Sequence, residues 1–324
     1  MKRFVIYILF CCLTVINSAQ AQHMVQKQGY LTDDIYYTGL PDYPPFSKYL
    51  TSQREFFMLD SAFLKPLKEI AQKYDFKMKD EPKSGSVTLQ DVILDIRSGN
   101  AQMFIGAYSD SKLFTGIHLI YPAVVSNPIH IITLPDEQEK IKTTKDLAAL
   151  KGIISKTEYL SDFVLRKIKP LNLTFAETPY DAYEKLFTGE ADYILGGLYY
   201  NRIMSSRYGI EQYLAYSKKP LFKIPVFVAM SKTTPKLSLY DKIFSKEFNN
   251  PEFGNSVKQE ILRMVEDEIA KNQGIVPPAF AKKVLPPTET ANQDSTEAPA
   301  ENKKGRVLEQ KIKQKSIDDV LDGI

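Results

Sequence analysis

"LQDVILDIRSGNAQMFIGAYSD", residues 89–110, reads as a helix, a Gly-Asn turn and a buried strand, "MFIGAY", in immediate succession. The plan returns in "DAYEKLFTGEADYILGGLYY", residues 181–200, as a helix from Asp181, a Gly-Glu turn, a strand from Tyr193 and a glycine pair. No sequence-level repeat underlies this; only the architecture recurs. Working outward, "DIYYTGL" (34–40) reads as a strand. "LDSAFLKPLKEIAQKYDF" (59–76) reads as a helix, with Phe63, Leu64, Leu67, Ile70, Ala71 and Tyr74 at helical spacing. Asp60 or Ser61 is its expected cap. Between the two lies "LPDYPPFS" (40–47), three prolines and two aromatic rings, which reads as a rigid loop. Strand-like and helix-like segments alternate from Asp33 to about Gly274, which predicts an α/β fold.

The two ends differ from this middle. "MKRFVIYILFCCLTVINSAQAQ" opens the chain with Lys2 and Arg3, an apolar run from Phe4 to Ile16 and a small-x-small pair at Ala19 and Ala21. Residues 1–21 are therefore expected to be a signal peptide, sending the protein to the periplasm. Phe10 is too large for the residue before a lipoprotein cysteine. Cys11 and Cys12, the only two cysteines, leave with that leader, so the mature chain is expected to have no disulfide. The formal charge of +3 falls to about +1 without Lys2 and Arg3, which gives no footing for nucleic acid. Residues 275–305 are expected to be a disordered linker: "PPTETANQDSTEAPAENKK" (286–304) has almost no apolar side chains. In 306–324, Val307, Leu308, Ile312, Ile317, Val320 and Leu321 make a loose helical stripe, either a marginal solvated helix or a docking helix for a partner.

The order of the pieces carries a resemblance. A Pro-Pro-Phe loop follows the first strand, then "VILDIRSGNAQMFIGA", "IHLIYPAVVSNPIHIIT", "TTKDLAALKGIISKTEYLSDFVLRKI" and "AYEKLFTGEADYILGG". This succession resembles bacterial periplasmic solute-binding proteins of the type II class, most closely the polar-amino-acid family of ABC importers. The resemblance implies two α/β lobes joined by hinge strands and closing on a ligand. Lobe one would hold residues 33–124 and 228–274; residues 125–227 would hold the hinge strands and lobe two. The chain would cross at Val125–Ile132 and return at Lys219–Met230.

The resemblance also implies where ligand contacts fall. Tyr43 and Phe46 of the proline loop would lay an aromatic face on the ligand. The arginine that grips a ligand carboxylate in the family falls on Leu113, with Lys112 beside it. The acidic residue that holds the ligand's ammonium falls on Gly197, and the hydroxyl residue at the strand end on Tyr108. A shift of one or two residues in this matching would bring Lys112 or Asp110 into the site. Thr157, with Lys156 beside it, would sit at a helix N-terminus able to hold an anionic group. With both ends of the zwitterion clamp missing, free amino acids are expected to bind weakly. Tyr43, Phe46, Tyr108, Tyr199 and Tyr200 make the expected cleft aromatic, suited to an amino-acid-like, peptide or aromatic ligand.

Three functions stay open. The first is a monomeric binding protein that delivers a small molecule to an ABC permease. The second is a sensing or assembly protein docking on another envelope protein through the C-terminal helix. The third is a dehydratase-like enzyme using Glu158 and Lys156. Catalytic signals are sparse: there is no H-E-x-x-H, G-x-S-x-G or phosphate-binding glycine loop, and no ligand spacing for a metal. His118 and His130 lie in apolar segments and read as packed residues, and His23 adjoins the leader. No catalytic residue and no cofactor is assigned.

Overall fold

The computed structural model describes residues 34–51, 56–80, 83–84, 87–108, 112–141, 145–160 and 162–282. The leader, Asp110, residues 283–305 and the terminal stripe at 306–324 lie outside them. In chain order the first strands are β1 (Asp34–Gly39), β2 (Asp42–Tyr43), β3 (Ser47–Thr51), β4 (Phe56–Asp60), β5 (Lys77–Asp80), β6 (Lys83–Ser84) and β7 (Met103–Ala107). Then come β8 (His118–Leu119), β9 (Val125–Thr133), β10 (Gly152–Ser155), β11 (Leu173–Ala176), β12 (Tyr193–Gly197), β13 (Ala215–Tyr216) and β14 (Phe222–Met230). The helices are α1 (Leu64–Lys73), α2 (Leu89–Ser98), α3 (Asp162–Ile168) and α4 (Pro179–Thr188). They continue as α5 (Leu198–Arg207), α6 (Leu237–Phe248), α7 (Pro251–Lys271) and α8 (Ala279–Lys282).

The two helix–turn–strand units share their local chemistry. Thr88 caps α2 and Thr178 caps α4, each exchanging bonds with an aspartate three residues on, Asp91 and Asp181. Gly99 and Gly189 end these helices in the left-handed region, at φ 86° and 78°, where a side chain would be strained. The strands that follow, β7 and β12, are buried throughout, so they show an apolar run rather than alternation.

One sheet runs β11-β10-β12-β9-β14-β7-β1-β5, with β13 on β9 and β8 on β14. Its middle is an antiparallel crossing pair. Val125–Ile129 of β9 lies opposite Phe222–Val226 of β14. Beyond that overlap β9 pairs with β12, and β14 pairs with β7 after a register shift at Phe227/Val228. The fold is thus two-lobed, with β7, β1 and β5 on one side of the pair and β12, β10 and β11 on the other. A small antiparallel sheet, β2-β3-β4-β6, rides on the first lobe.

Two expectations change. Asp60 lies in β4 and α1 begins at Leu64, with Phe63 at its N-cap and no side-chain cap. Ser61 instead accepts from the Phe63 amide and donates to the Phe46 carbonyl, tying the proline loop to the helix. The expected linker also begins too early. Residues 275–282 belong to the fold: Phe280 of α8 is buried, with its ring 5.3 Å from Tyr180 and 5.5 Å from Phe187. A single aromatic among prolines is enough to anchor a short segment that composition alone reads as solvated.

Candidate functional site

The proline loop is the tip of a hairpin. Asp42 and Tyr43 pair with Lys48 and Ser47, and the Phe46 amide donates to the Tyr43 carbonyl at 3.1 Å. The Ala62 amide donates to the Pro45 carbonyl at 3.0 Å, so the turn is held from below. Phe46 packs over Phe63 (6.5 Å) and reaches Tyr199 of the second lobe (6.2 Å). Tyr43 crosses between the lobes. Its ring stacks on Tyr200 at 4.7 Å and meets the edge of Tyr159 at 5.3 Å, and both Tyr43 and Phe46 are 0% exposed.

The Tyr43 hydroxyl ends at a buried carboxylate, donating to Glu158 Oε2 at 2.7 Å. Glu158 Oε1 accepts from the Gly197 amide (3.0 Å) and from Asn201 Nδ2 (2.5 Å), in the first turn of α5. Asn201 Oδ1 in turn accepts from Tyr183 at 3.0 Å. From the crossing strand β9, Asn127 Nδ2 donates to the Tyr43 hydroxyl at 2.9 Å and to Tyr108 at 3.4 Å. Glycine is required beneath this network. A Cβ on Gly196 would run into Glu158 Oε1 and the Asn201 amide nitrogen, and one on Gly197 would sit 2.9 Å from the Tyr43 hydroxyl.

Burial pushes the Glu158 carboxyl up to about 7, against the three hydrogen bonds that favour its ionised form. Burial and the nearby Glu158 charge raise the Tyr43 phenol well above its usual range. The site is therefore an aromatic-lined point with one carboxyl poised between its two states.

Tyr43, Phe46, Tyr108 and Tyr199 are buried where the two lobes meet or beside that point, and Tyr200 joins them. Gly197 is in the site but in a different role: it admits the Tyr43 hydroxyl and binds Glu158 through its amide. The carboxyl beside Gly197 belongs to Glu158, from the turn after β10.

Other expectations fail. Lys156 faces solvent and pairs with Glu177, whereas Glu158, two residues on, is buried. It therefore does not join Glu158 as the acid–cation pair of a dehydratase-like centre. Thr157 is not at a helix N-terminus, since α3 starts at Asp162. Its amide donates to Ser155 Oγ, and its hydroxyl takes a 2.9 Å bond from Tyr200, so it positions a ring rather than an anion. Lys112 is exposed in a short 3-10 turn, and Leu113 beside it is 37% exposed. Asn127 and Asn201 escaped the sequence reading; the only trace of Asn127 was a polar residue in the apolar run "VVSNPIHII".

An open groove lies on the first lobe, lined by Ile117, His118, Leu119, Tyr121, Lys232, Asp241 and Ser245. His118 Nε2 and Asp241 are 2.9 Å apart there. His130 is buried against the Ser217 carbonyl, and burial lowers its pKa.

No family model matches the chain, and no curated protein matches it. Solved structures do. A putative ABC-transporter binding component from Wolinella succinogenes, complexed with lysine, shares 16% identity at a TM-score of 0.54, over 72% of this chain and 96% of that one. The amino-acid ABC transporter substrate-binding protein AbpA of Streptococcus pneumoniae, bound to L-arginine, shares 15% identity at 0.50, over 74% and 95%. The periplasmic VFT2 domain of Bordetella pertussis BvgS shares 15% identity at 0.53, over 71% and 92%. What these proteins share with the chain is the fold. The chain has the two-lobed fold of type II periplasmic binding proteins.

Proposed function

We propose that this protein is a periplasmic, non-catalytic solute-binding protein that captures a small molecule between its two lobes and serves an ABC importer. One observation carries the reading. Side chains from both lobes and from the crossing strand (Tyr43, Glu158 and Asn127) converge on one buried point, and the lobe-one partner is a single aromatic ring on a hairpin. A ligand entering the cleft takes the place of that ring, and β9 and β14 act as the hinge. In this reading lobe one spans 33–124 and 228–274, the hinge strands and lobe two span 125–227, and residues 275–282 are docked on lobe two.

A second reading, a sensing protein, is favoured by the path of the C-terminal segment. α7 packs on α5, Arg207 Nε bonds Glu268 at 2.8 Å, and Lys48 of β3 lies 3.7 Å from the same carboxylate. α8 then anchors on α4. Opening of the cleft would move this strap, and with it whatever follows residue 282.

The test is a thermal-shift and calorimetric screen of the full chain against amines, amino acids, sugars and short peptides. A ligand class that stabilises the wild type and loses affinity tenfold or more in Asn127→Leu supports capture between the lobes. Binding that ignores Asn127→Leu and Glu158→Gln contradicts it.

A further inference from the structure

Glu158 uses its two oxygens differently. Oε1 is committed to α5, through the Gly197 amide and Asn201. That half is structural: it satisfies the first turn of a helix. Among the described residues Oε2 has one partner, the Tyr43 hydroxyl from the opposite lobe. Beside it is a second acceptor without a donor. Asn127 is fully buried, and its Oδ1 has no hydrogen-bond partner among the described residues. The Tyr43 hydroxyl and both ends of the Asn127 amide lie at 2.9, 3.1 and 3.1 Å from one point, the place of a Cβ on Gly197. Leaving a buried acceptor unpaired is costly, so this point is short of N–H groups.

The electrostatics have one sign. The groups bonded to Glu158 are all neutral. Among the described residues the other titratable groups that face it are tyrosines: Tyr108 from the end of β7, Tyr183 from α4 and Tyr200 from α5; Tyr159 follows it in the chain and faces Asp42 outside. Lys156 and Lys112 are exposed, and Lys156 is paired with Glu177. A ligand carboxylate would meet a carboxylate here. A cation would meet a carboxylate oxygen, an unused amide oxygen, the Tyr108 hydroxyl and the face of Tyr200 now covered by Tyr43.

We propose that the space held by the Tyr43 side chain is a binding site for an organic cation: a primary ammonium on a flat apolar body, carrying no carboxylate. This rests on the reading that ligands are captured between the lobes, and it names their class. The ammonium donates to Glu158 Oε2 and Asn127 Oδ1, and the apolar body lies on the Tyr200 ring. Tyr43 is the occupant it displaces. Because the bound cation holds Glu158 ionised, binding below about pH 7 releases a proton.

Three probes of one shape test this: benzylamine, benzyl alcohol and benzoate, titrated calorimetrically at pH 8 into the full chain and its Tyr43→Ala variant. The variant is expected to bind benzylamine at least tenfold more tightly than benzyl alcohol, with no heat from benzoate. The wild type is expected to bind benzylamine at least tenfold more weakly than the variant. Adding Glu158→Gln should level amine and alcohol. At pH 6.5, buffers of different ionisation enthalpy should reveal proton release with benzylamine alone. Should Tyr43→Ala not fold, the wild-type melting temperature with each probe decides: a rise with benzylamine above that with the other two supports the site. Benzoate or benzyl alcohol binding as well as benzylamine overturns the cation class while leaving capture between the lobes standing. An amine preference that survives Glu158→Gln overturns the assignment to this carboxylate. No binding by any probe overturns the site itself, and a screen that still finds an Asn127-dependent ligand would leave the capture reading intact.

Discussion

Replacing Glu158 with glutamine should change how stability depends on pH. Burial holds the carboxyl near 7 in the folded protein, against an ordinary 4.5. Between those values the folded state binds a proton that the unfolded chain has lost, so this group's contribution is full below about pH 4.5 and disappears as pH rises through about 7. The gap of roughly 2.5 units corresponds to about 3 kcal/mol. Glutamine keeps an acceptor for the Gly197 amide and Asn201 and carries no charge to bury. Glu158→Gln should therefore gain about 3 kcal/mol on the wild type between pH 4.5 and pH 8. Urea unfolding of both proteins at pH 5, 6, 7 and 8 measures it. Taking the difference between the two removes the opposite trend of Glu247, Glu260 and Glu268, whose folded pKa values are lowered and which both proteins share. Parallel stability curves across this range would refute the reasoning, since they would mean that Glu158 is hydrated or charge-compensated in the folded state.

Tyr43→Phe keeps the stacked ring but removes the donor to Glu158, so it should destabilise the protein by about 1–3 kcal/mol in denaturant unfolding. The same change should raise the Glu158 pKa further, because the lost bond favoured the ionised form; carboxyl NMR titration reads this. Gly196→Ala should cost about 2–3 kcal/mol, because its Cβ displaces the Glu158 carboxylate and the Asn201 amide; a melting temperature equal to wild type would contradict that packing. Ending the chain after Gly274 should cost about 1–3 kcal/mol through loss of the Phe280 contacts, whereas ending it after Lys282 should leave the melting curve within about 0.5 kcal/mol.

The parts of the fold readable in the sequence were those specified locally. Gly99 and Gly189 mark helix ends because the left-handed region favours glycine, and the strands after them are apolar because both faces are covered. The rigid loop at residues 40–47 was legible because prolines and rings leave few other structures there, but its pairing as a hairpin was not. Glu158 was legible only as the acid of a dehydratase-like alternative; its place between the Tyr43 hydroxyl and the Gly197 amide was not, because Gly197 is 39 residues away in the chain. Asn127 gave only a polar interruption in a strand, and its meaning depends on Tyr43 arriving from 84 residues away. Thr157 and Lys156 were misjudged together: the turn after β10 uses its own amides internally and turns Lys156 out to Glu177.

A crystal of the full chain grown with the tightest-binding compound from the screen tests the central claim most directly, through the density beside Gly197. The account predicts that Tyr43 has left Glu158 Oε2 and that a ligand atom has taken its place, within hydrogen-bond distance of Glu158 and Asn127. Tyr43 still bonded to Glu158, with the compound seated elsewhere, such as the groove beside His118 and Asp241, would contradict it.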